Sequence, residues 1–168
     1  HSSHRRQRQM CIRDSNTFGS NNYDGNSIEF GIREHAMGGI VNGLALHSKL
    51  IPYGSTFLVF SDYMRPSMRL ASLMKVNSLF IFTHDSIYLG EDGPTHQPVE
   101  HLMSLRLIPN LDVIRPANNK ELIHSYRFAL EKRDNPKVIV LSRQNMKFFD
   151  HDVSCLLYTS PSPRDEKV

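Results

Sequence analysis

The alternation of short apolar runs with segments of helical period constrains the fold of this chain most. Leu79–Thr83 and Lys137–Leu141 are almost wholly apolar, as is typical of strands buried on both faces of a parallel sheet. Thr56–Phe60 and Leu111–Ile114 predict two further strands. Because helical segments separate these strands, we expect an α/β fold, a doubly wound, mostly parallel sheet with helices on both faces.

The helices are predicted from apolar periodicity. Ser27 is a candidate N-cap for a helix over about residues 28–47, after a loop over residues 16–27 that is rich in Asn, Gly and Ser. Apolar spacing predicts further helices at Tyr63–Lys75 and Asn118–Lys132. A short helix to about Leu105 is expected after the loop His84–Pro98.

Composition and charge exclude several classes of protein. The chain has 168 residues, of which 39% are hydrophobic and 22% charged, the values of an ordinary globular domain. It contains no apolar run of about 20 residues, so we expect no membrane span, and we expect a cytoplasmic location. The net charge of +3 arises in residues 1–15, and the neutral remainder gives no basic patch for nucleic acid.

Both flanks stand apart from the rest of the chain. DNA that encodes Met10–Ser15, read on its complementary strand, can encode Cys155–Thr159. Residues 1–15 and 155–168 therefore resemble translated sequencing-adapter DNA, and natural disordered tails are the alternative. We assign the domain to residues 16–154 and expect no disulfide framework, since both cysteines lie in the flanks.

The polar loop His84–Pro98 follows a predicted buried strand. Ligands bind beyond the carboxyl ends of strands in such sheets, and this rule places His84, the loop and Arg143 along one edge. A ligand site and a solvated loop both remain open on composition alone. Metal binding is the weaker option, because His84 and His96 are far apart in sequence and no metal-binding motif accompanies them. We therefore assign no metal ligands to this chain.

Six collinear strings carry a specific resemblance. They are Ile32–Met37, Ser55–Phe57, Thr83–Ser86, Gly90–Glu100, Arg115–Pro116 and Leu141–Asn145. Together they resemble the central, pyrimidine-binding domain of transketolases. That family transfers a two-carbon ketol unit between sugar phosphates with thiamine diphosphate and Mg²⁺ or another divalent cation.

The resemblance implies which residues bind the cofactor. Glu34 would be the catalytic carboxyl that holds the ring nitrogen of the aminopyrimidine. A carboxyl that donates a proton to this nitrogen needs a raised pKa, and therefore an apolar, desolvated environment. Phe57, Phe60 and Tyr63 would pack on that ring, with Phe60 stacking on it. Without the resemblance, the same residues would be a solvated glutamate and core aromatics.

The resemblance also implies a substrate site. His96 would polarise or protonate sugar oxygens during carbon–carbon bond cleavage. Asp92 would accept a hydrogen bond from the donor sugar's C2 hydroxyl. His84 and Arg143 would bind the sugar phosphate.

Other features of the family are missing from this sequence. Its Gly-Asp-Gly motif, which binds the diphosphate and the metal, lies in a preceding domain, and the cofactor sits between two subunits of a homodimer. We therefore expect a fragment that is inactive alone. The alternatives are a related thiamine-dependent synthase of the dihydroxyacetone or deoxyxylulose-phosphate type, or a non-catalytic interaction module.

Overall fold

The computed structural model describes residues 17–145. The chain divides into two compact units between Arg33 and Glu34. The proposed flanks, both cysteines and the segment 146–154 lie outside the described residues.

The described part of the first unit, residues 17–33, is irregular. Isolated bridges join Thr17 to Ser27 and Gly19 to Asn22, and the Phe18 ring meets the Tyr23 ring edge-on at 5.9 Å between centroids. The expectation of a loop over the beginning of this region is confirmed.

The described part of the second unit, residues 34–145, contains four helices and four strands. In chain order they are α1 (Glu34–His47), β1 (Tyr53–Phe57), α2 (Ser61–Met74), β2 (Leu79–Thr83), α3 (His101–Arg106), β3 (Asp112–Ile114), α4 (Asn119–Glu131) and β4 (Lys137–Val140). Short 3-10 turns occupy Leu58–Phe60, Ile87–Leu89 and Pro94–His96. None of the helices within residues 17–145 combines the length and the apolar character that a membrane crossing requires.

The sheet is parallel throughout, in the order β1-β2-β4-β3. Both of its faces are covered. On one face, Leu79, Ile81 and Ile139 pack with Ala129 of α4. On the other, Phe80, Phe82, Val138 and Val140 are completely buried. The predicted doubly wound α/β fold is confirmed.

Helix α1 begins six residues later than predicted. Gly31 has a φ of +64°, a left-handed conformation that a right-handed helix cannot contain. The Arg33 guanidinium also donates to the Phe30 carbonyl at 2.9 Å. Ser27 is therefore not the N-cap, and Glu34 lies in the first turn of α1.

The first strand is displaced toward the N-terminus relative to the prediction. Residues 53–57 pair with 79–83 in register, whereas Leu58–Phe60 turn away as a 3-10 helix that leads directly into α2. The predicted strand over residues 56–60 is therefore wrong for Leu58, Val59 and Phe60. Phe57 is the last residue of β1, and Phe60 is the last residue of the 3-10 helix that follows it.

Helices α1 and α2 approach closely at Gly38. A Cβ atom at this position would lie 2.8 Å from both Met64 Cγ and Ser67 Cβ. The Ser67 hydroxyl donates to the His35 carbonyl at 3.1 Å. Nearby, the buried Asn42 amide donates to the Ser67 carbonyl at 2.8 Å. The helix that carries Glu34 is thus joined to the helix that follows Phe60.

Candidate functional site at the carboxyl edge of the sheet

Five of the predicted site residues form a connected group of rings, which we call the ring group. Its members are Phe57, Phe60, Tyr63, His84 and His96. The His84 ring stacks on Phe57 with 3.7 Å between centroids, and His96 meets the Phe60 ring edge-on at 5.3 Å. The sheet topology brings Phe57 and His84 together, because Phe57 ends β1 and His84 directly follows β2, the parallel neighbour of β1.

The phenylalanines form an apolar wall. The rings of Phe57 and Phe60 lie 6.1 Å apart with only 13° between their planes, and Tyr63 adjoins Phe60 at 6.3 Å. Phe57 is buried, Phe60 is half-buried and Tyr63 is 65% exposed. Such a wall can pack against a flat aromatic ligand.

Both histidines are held by the hydroxyl of the preceding residue. His84 Nδ1 lies 2.9 Å from Thr83 Oγ1, and His96 Nδ1 lies 2.9 Å from Thr95 Oγ1. When Nδ1 is engaged in this way, Nε2 is left to meet a ligand. His84 also has a φ of +60°, an uncommon conformation for a residue other than glycine.

Charged groups surround His84. Burial lowers the pKa of its imidazole from the ordinary value of 6.5, and the Arg143 charge lowers it further, while Asp92 and Asp85 oppose the shift. His84 is therefore mainly neutral at pH 7. Arg143 and Asp92 therefore lie within electrostatic range of this ring.

Glu34 occupies the first turn of α1 and is half-buried. Among residues 17–145, its carboxylate has no hydrogen bond or ion pair. Its placement beside a cofactor ring stays a prediction, as do the roles of Asp92, His96 and Arg143 in sugar binding.

Sequence reasoning gave no role to the ion pair between Asp85 and Arg115. The Arg115 guanidinium donates to one oxygen of Asp85 through Nε at 2.7 Å and Nη2 at 2.6 Å. The Gln144 amide donates to the Tyr88 carbonyl in the same loop. The rule that placed His84 and Arg143 at one edge of the sheet could have found this pair, since Arg115 follows β3 and Asp85 follows β2.

A second polar network joins α2 to α3. Asp62, Glu100 and His101 bring three metal-ligand side chains together. Asp62, however, already accepts from Arg65 at 3.2 Å and lies 3.0 Å from His101 Nε2. Because Arg65 also donates to Ser104 Oγ at 2.7 Å, we interpret the network as an interhelical contact.

Comparison with known proteins identifies the family. A family model described as "Transketolase, pyrimidine binding domain" matches residues 2–148. This chain belongs to that family. It is 53% identical over 138 residues to the transketolase of Halalkalibacterium halodurans, a match that covers 82% of this chain and 21% of that protein.

Solved transketolases share the fold of this pyrimidine-binding domain. The structure from Leishmania mexicana has a TM-score of 0.81 at 43% identity, covering 85% of this chain and 22% of that one. A Pichia stipitis transketolase in complex with sedoheptulose-7-phosphate has a TM-score of 0.80 at 40% identity, covering 83% and 22%. The chain thus spans about one fifth of the length of the relatives that it matches.

Proposed function

We propose that this chain supplies the pyrimidine-binding half of a thiamine-diphosphate site in a transketolase that transfers a two-carbon ketol unit between sugar phosphates. The observation that carries the proposal is the ring group, in which the apolar wall of Phe57, Phe60 and Tyr63 meets two oriented imidazoles at the carboxyl edge of the sheet. Family membership and the Pichia stipitis complex with a sugar phosphate support it.

The side chains present fit the aminopyrimidine half of the cofactor. A flat heteroaromatic ring needs an apolar surface to stack on and a carboxyl for its ring nitrogen. Phe60, with Phe57 and Tyr63 beside it, offers the surface, and Glu34 offers a carboxyl that no described residue engages. When bound, thiamine diphosphate supplies the nucleophilic carbon that accepts the two-carbon unit.

The chain's own residues would then bind and orient the sugar. Arg143 has no hydrogen bond or ion pair within the described residues, so its guanidinium can take the phosphate by a two-point contact. A largely neutral His84 adds one hydrogen bond beside it. His96 would exchange a proton with the sugar oxygen at the reacting carbon, and Asp92 would accept from a hydroxyl of the bound sugar.

The diphosphate, the divalent cation and the second wall of the site would come from a preceding domain of a partner subunit in a homodimer. Apolar side chains left exposed on α1 and α2 support such an interface: Ile40, Leu44, Leu46, Leu70 and Leu73. The chain alone should therefore be inactive.

A chimera tests the proposal. Residues 34–145 of this chain would replace the matching segment of the Halalkalibacterium halodurans transketolase, with the native relative as the control. Transfer from a ketose phosphate to ribose 5-phosphate is the expected result. A folded, dimeric chimera that binds the cofactor yet transfers nothing would contradict the proposal and favour a non-catalytic module.

A further inference from the structure

The conformation of His84 needs an external constraint. This residue combines a left-handed φ of +60° with a ring stacked 3.7 Å from Phe57. A non-glycine residue holds such a backbone conformation only where its surroundings enforce it. The Thr83 hydroxyl orients the imidazole about its own axis, but it precedes the turn and cannot fix the backbone beyond it.

The next residue supplies a strong anchor. Only 5% of the Asp85 side chain is exposed, and a buried carboxylate without a partner is costly. Both Arg115 contacts converge on its Oδ2 atom, at 2.7 and 2.6 Å. Charge-assisted contacts of this kind are among the strongest and most directional hydrogen bonds in proteins.

The anchor comes from a distant strand. Arg115 follows β3, whereas Asp85 follows β2, and β4 lies between them in the sheet. The guanidinium therefore reaches across two strand spacings, roughly 10 Å. This long contact fixes the start of the His84–Pro98 loop to the rigid sheet.

We propose that the Asp85–Arg115 ion pair is the positioning device of the substrate site, because it holds the turn that sets the His84 imidazole against Phe57. Asp85 and Arg115 are positioning residues and touch no substrate. The two arginines of this edge thus have separate tasks: Arg115 shapes the loop, and Arg143 stays open to an anion. That His84 then serves a sugar phosphate rests on the proposed function.

Histidine NMR of the 168-residue chain tests the positioning directly. Stacking on Phe57 should shift the His84 ring protons upfield, and a His84→Asn variant identifies their signals. In Arg115→Met we expect this shift to collapse and the His84 titration midpoint to move toward that of an unfolded chain. His101 and His124 should keep their signals, which separates local repositioning from general destabilisation.

Two further variants sharpen the test. Arg115→Lys keeps the charge but loses the two-nitrogen contact, so it should shift the His84 signals by less than Arg115→Met does. If Arg115→Met does not fold, Arg115→Lys becomes the variant that tests the positioning role. Arg127→Met is the matched control, since it removes a 2.7 Å guanidinium–carboxylate contact to Glu131 on the exposed side of α4. Wild-type His84 signals in folded Arg115→Met, or in Arg115→Lys, would overturn the proposal.

Kinetics of the chimera separate this inference from the proposed function. Arg115→Met should raise the KM for a ketose phosphate about tenfold and change kcat less than about twofold, because a displaced imidazole weakens substrate binding. Unphosphorylated ketoses should be affected less. Displaced His84 signals with an unchanged KM would support the positioning role and contradict the sugar-phosphate role of His84.

Discussion

Substituting Gly38 tests the packing that joins the Glu34 helix to the rest of the site. Gly38 lies on the buried side of α1, and a Cβ there would approach Ser67 Cβ and Met64 Cγ to 2.8 Å. Met64 can shift its flexible side chain, but Ser67 Cβ is fixed to the backbone of α2. Gly38→Ala must therefore push the two helices apart.

Two opposing terms set the size of the effect. Overpacking a close contact costs about 1–3 kcal/mol, whereas replacing Gly by Ala inside a helix gains about 1 kcal/mol. Gly39 and Gly43 lie in the same helix with no atom within 4 Å of a built Cβ, so at these positions the gain alone applies. We expect Gly38→Ala to be about 1–3 kcal/mol less stable than Gly39→Ala or Gly43→Ala.

Urea unfolding of the three variants, followed by circular dichroism, measures this difference. All three variants replace Gly by Ala inside the same helix, so the gain in helix propensity is the same in each. Any difference in the free energy of unfolding therefore reports the contact of residue 38 with α2. Equal unfolding midpoints and m-values for Gly38→Ala and Gly39→Ala would refute the close approach of α1 and α2.

Two further substitutions test the site and the core behind it. Folding lowers the pKa of the His84 imidazole, chiefly by burial. The folded protein therefore binds a proton at His84 less readily than the unfolded chain does, and the free energy of unfolding falls as the pH falls through about 6.5. His84→Asn, which tolerates the left-handed backbone, should flatten the stability profile between about pH 7.5 and 5.5, and an unchanged profile in denaturant titrations would contradict the shift. Asn42→Ala removes the acceptor that the buried Ser78 hydroxyl meets at 2.7 Å, and it removes a second donor, at 2.8 Å, from the Ser67 carbonyl, which also accepts within α2. We expect a loss of about 1–3 kcal/mol from the buried hydroxyl that is left without its partner, and a smaller loss in urea unfolding would show that the network is not needed.

The fold was predictable where the period of the apolar residues and the length of the segment indicated the same type of secondary structure. β2 matches its prediction over all of Leu79–Thr83, because four successive buried residues followed by the half-buried Thr83 suit a central strand. α4 begins one residue later than predicted, at Asn119, because the Asn118 side chain accepts from the Glu121 backbone N–H at 3.1 Å as an N-cap. The start of α1 was not predictable from period alone, since the left-handed Gly31 interrupts a run that otherwise looks helical.

Tertiary contacts decide the rest. The strand β1 contains Gly54, a residue type that is depleted from strands, and it is a strand because it pairs with β2. The resemblance named the members of the ring group, but it did not show that His84 stacks on Phe57 or that His96 meets Phe60 edge-on. The carboxyl-edge rule places Asp85 and Arg115 at the same edge of the sheet, but their pairing also depends on the strand order β2-β4-β3, which the sequence did not specify.

Glu34→Gln in the chimera tests the central claim of the proposed function, that the Glu34 carboxyl activates the cofactor whose aminopyrimidine packs on the apolar wall. Glutamine keeps the size of the side chain but not its acid chemistry, so the unfolding midpoint should stay at the wild-type value. Loss of a catalytic proton-transfer group should lower ketol transfer by about 100-fold or more at saturating thiamine diphosphate. Transfer at the wild-type rate in the Glu34→Gln chimera would contradict the account.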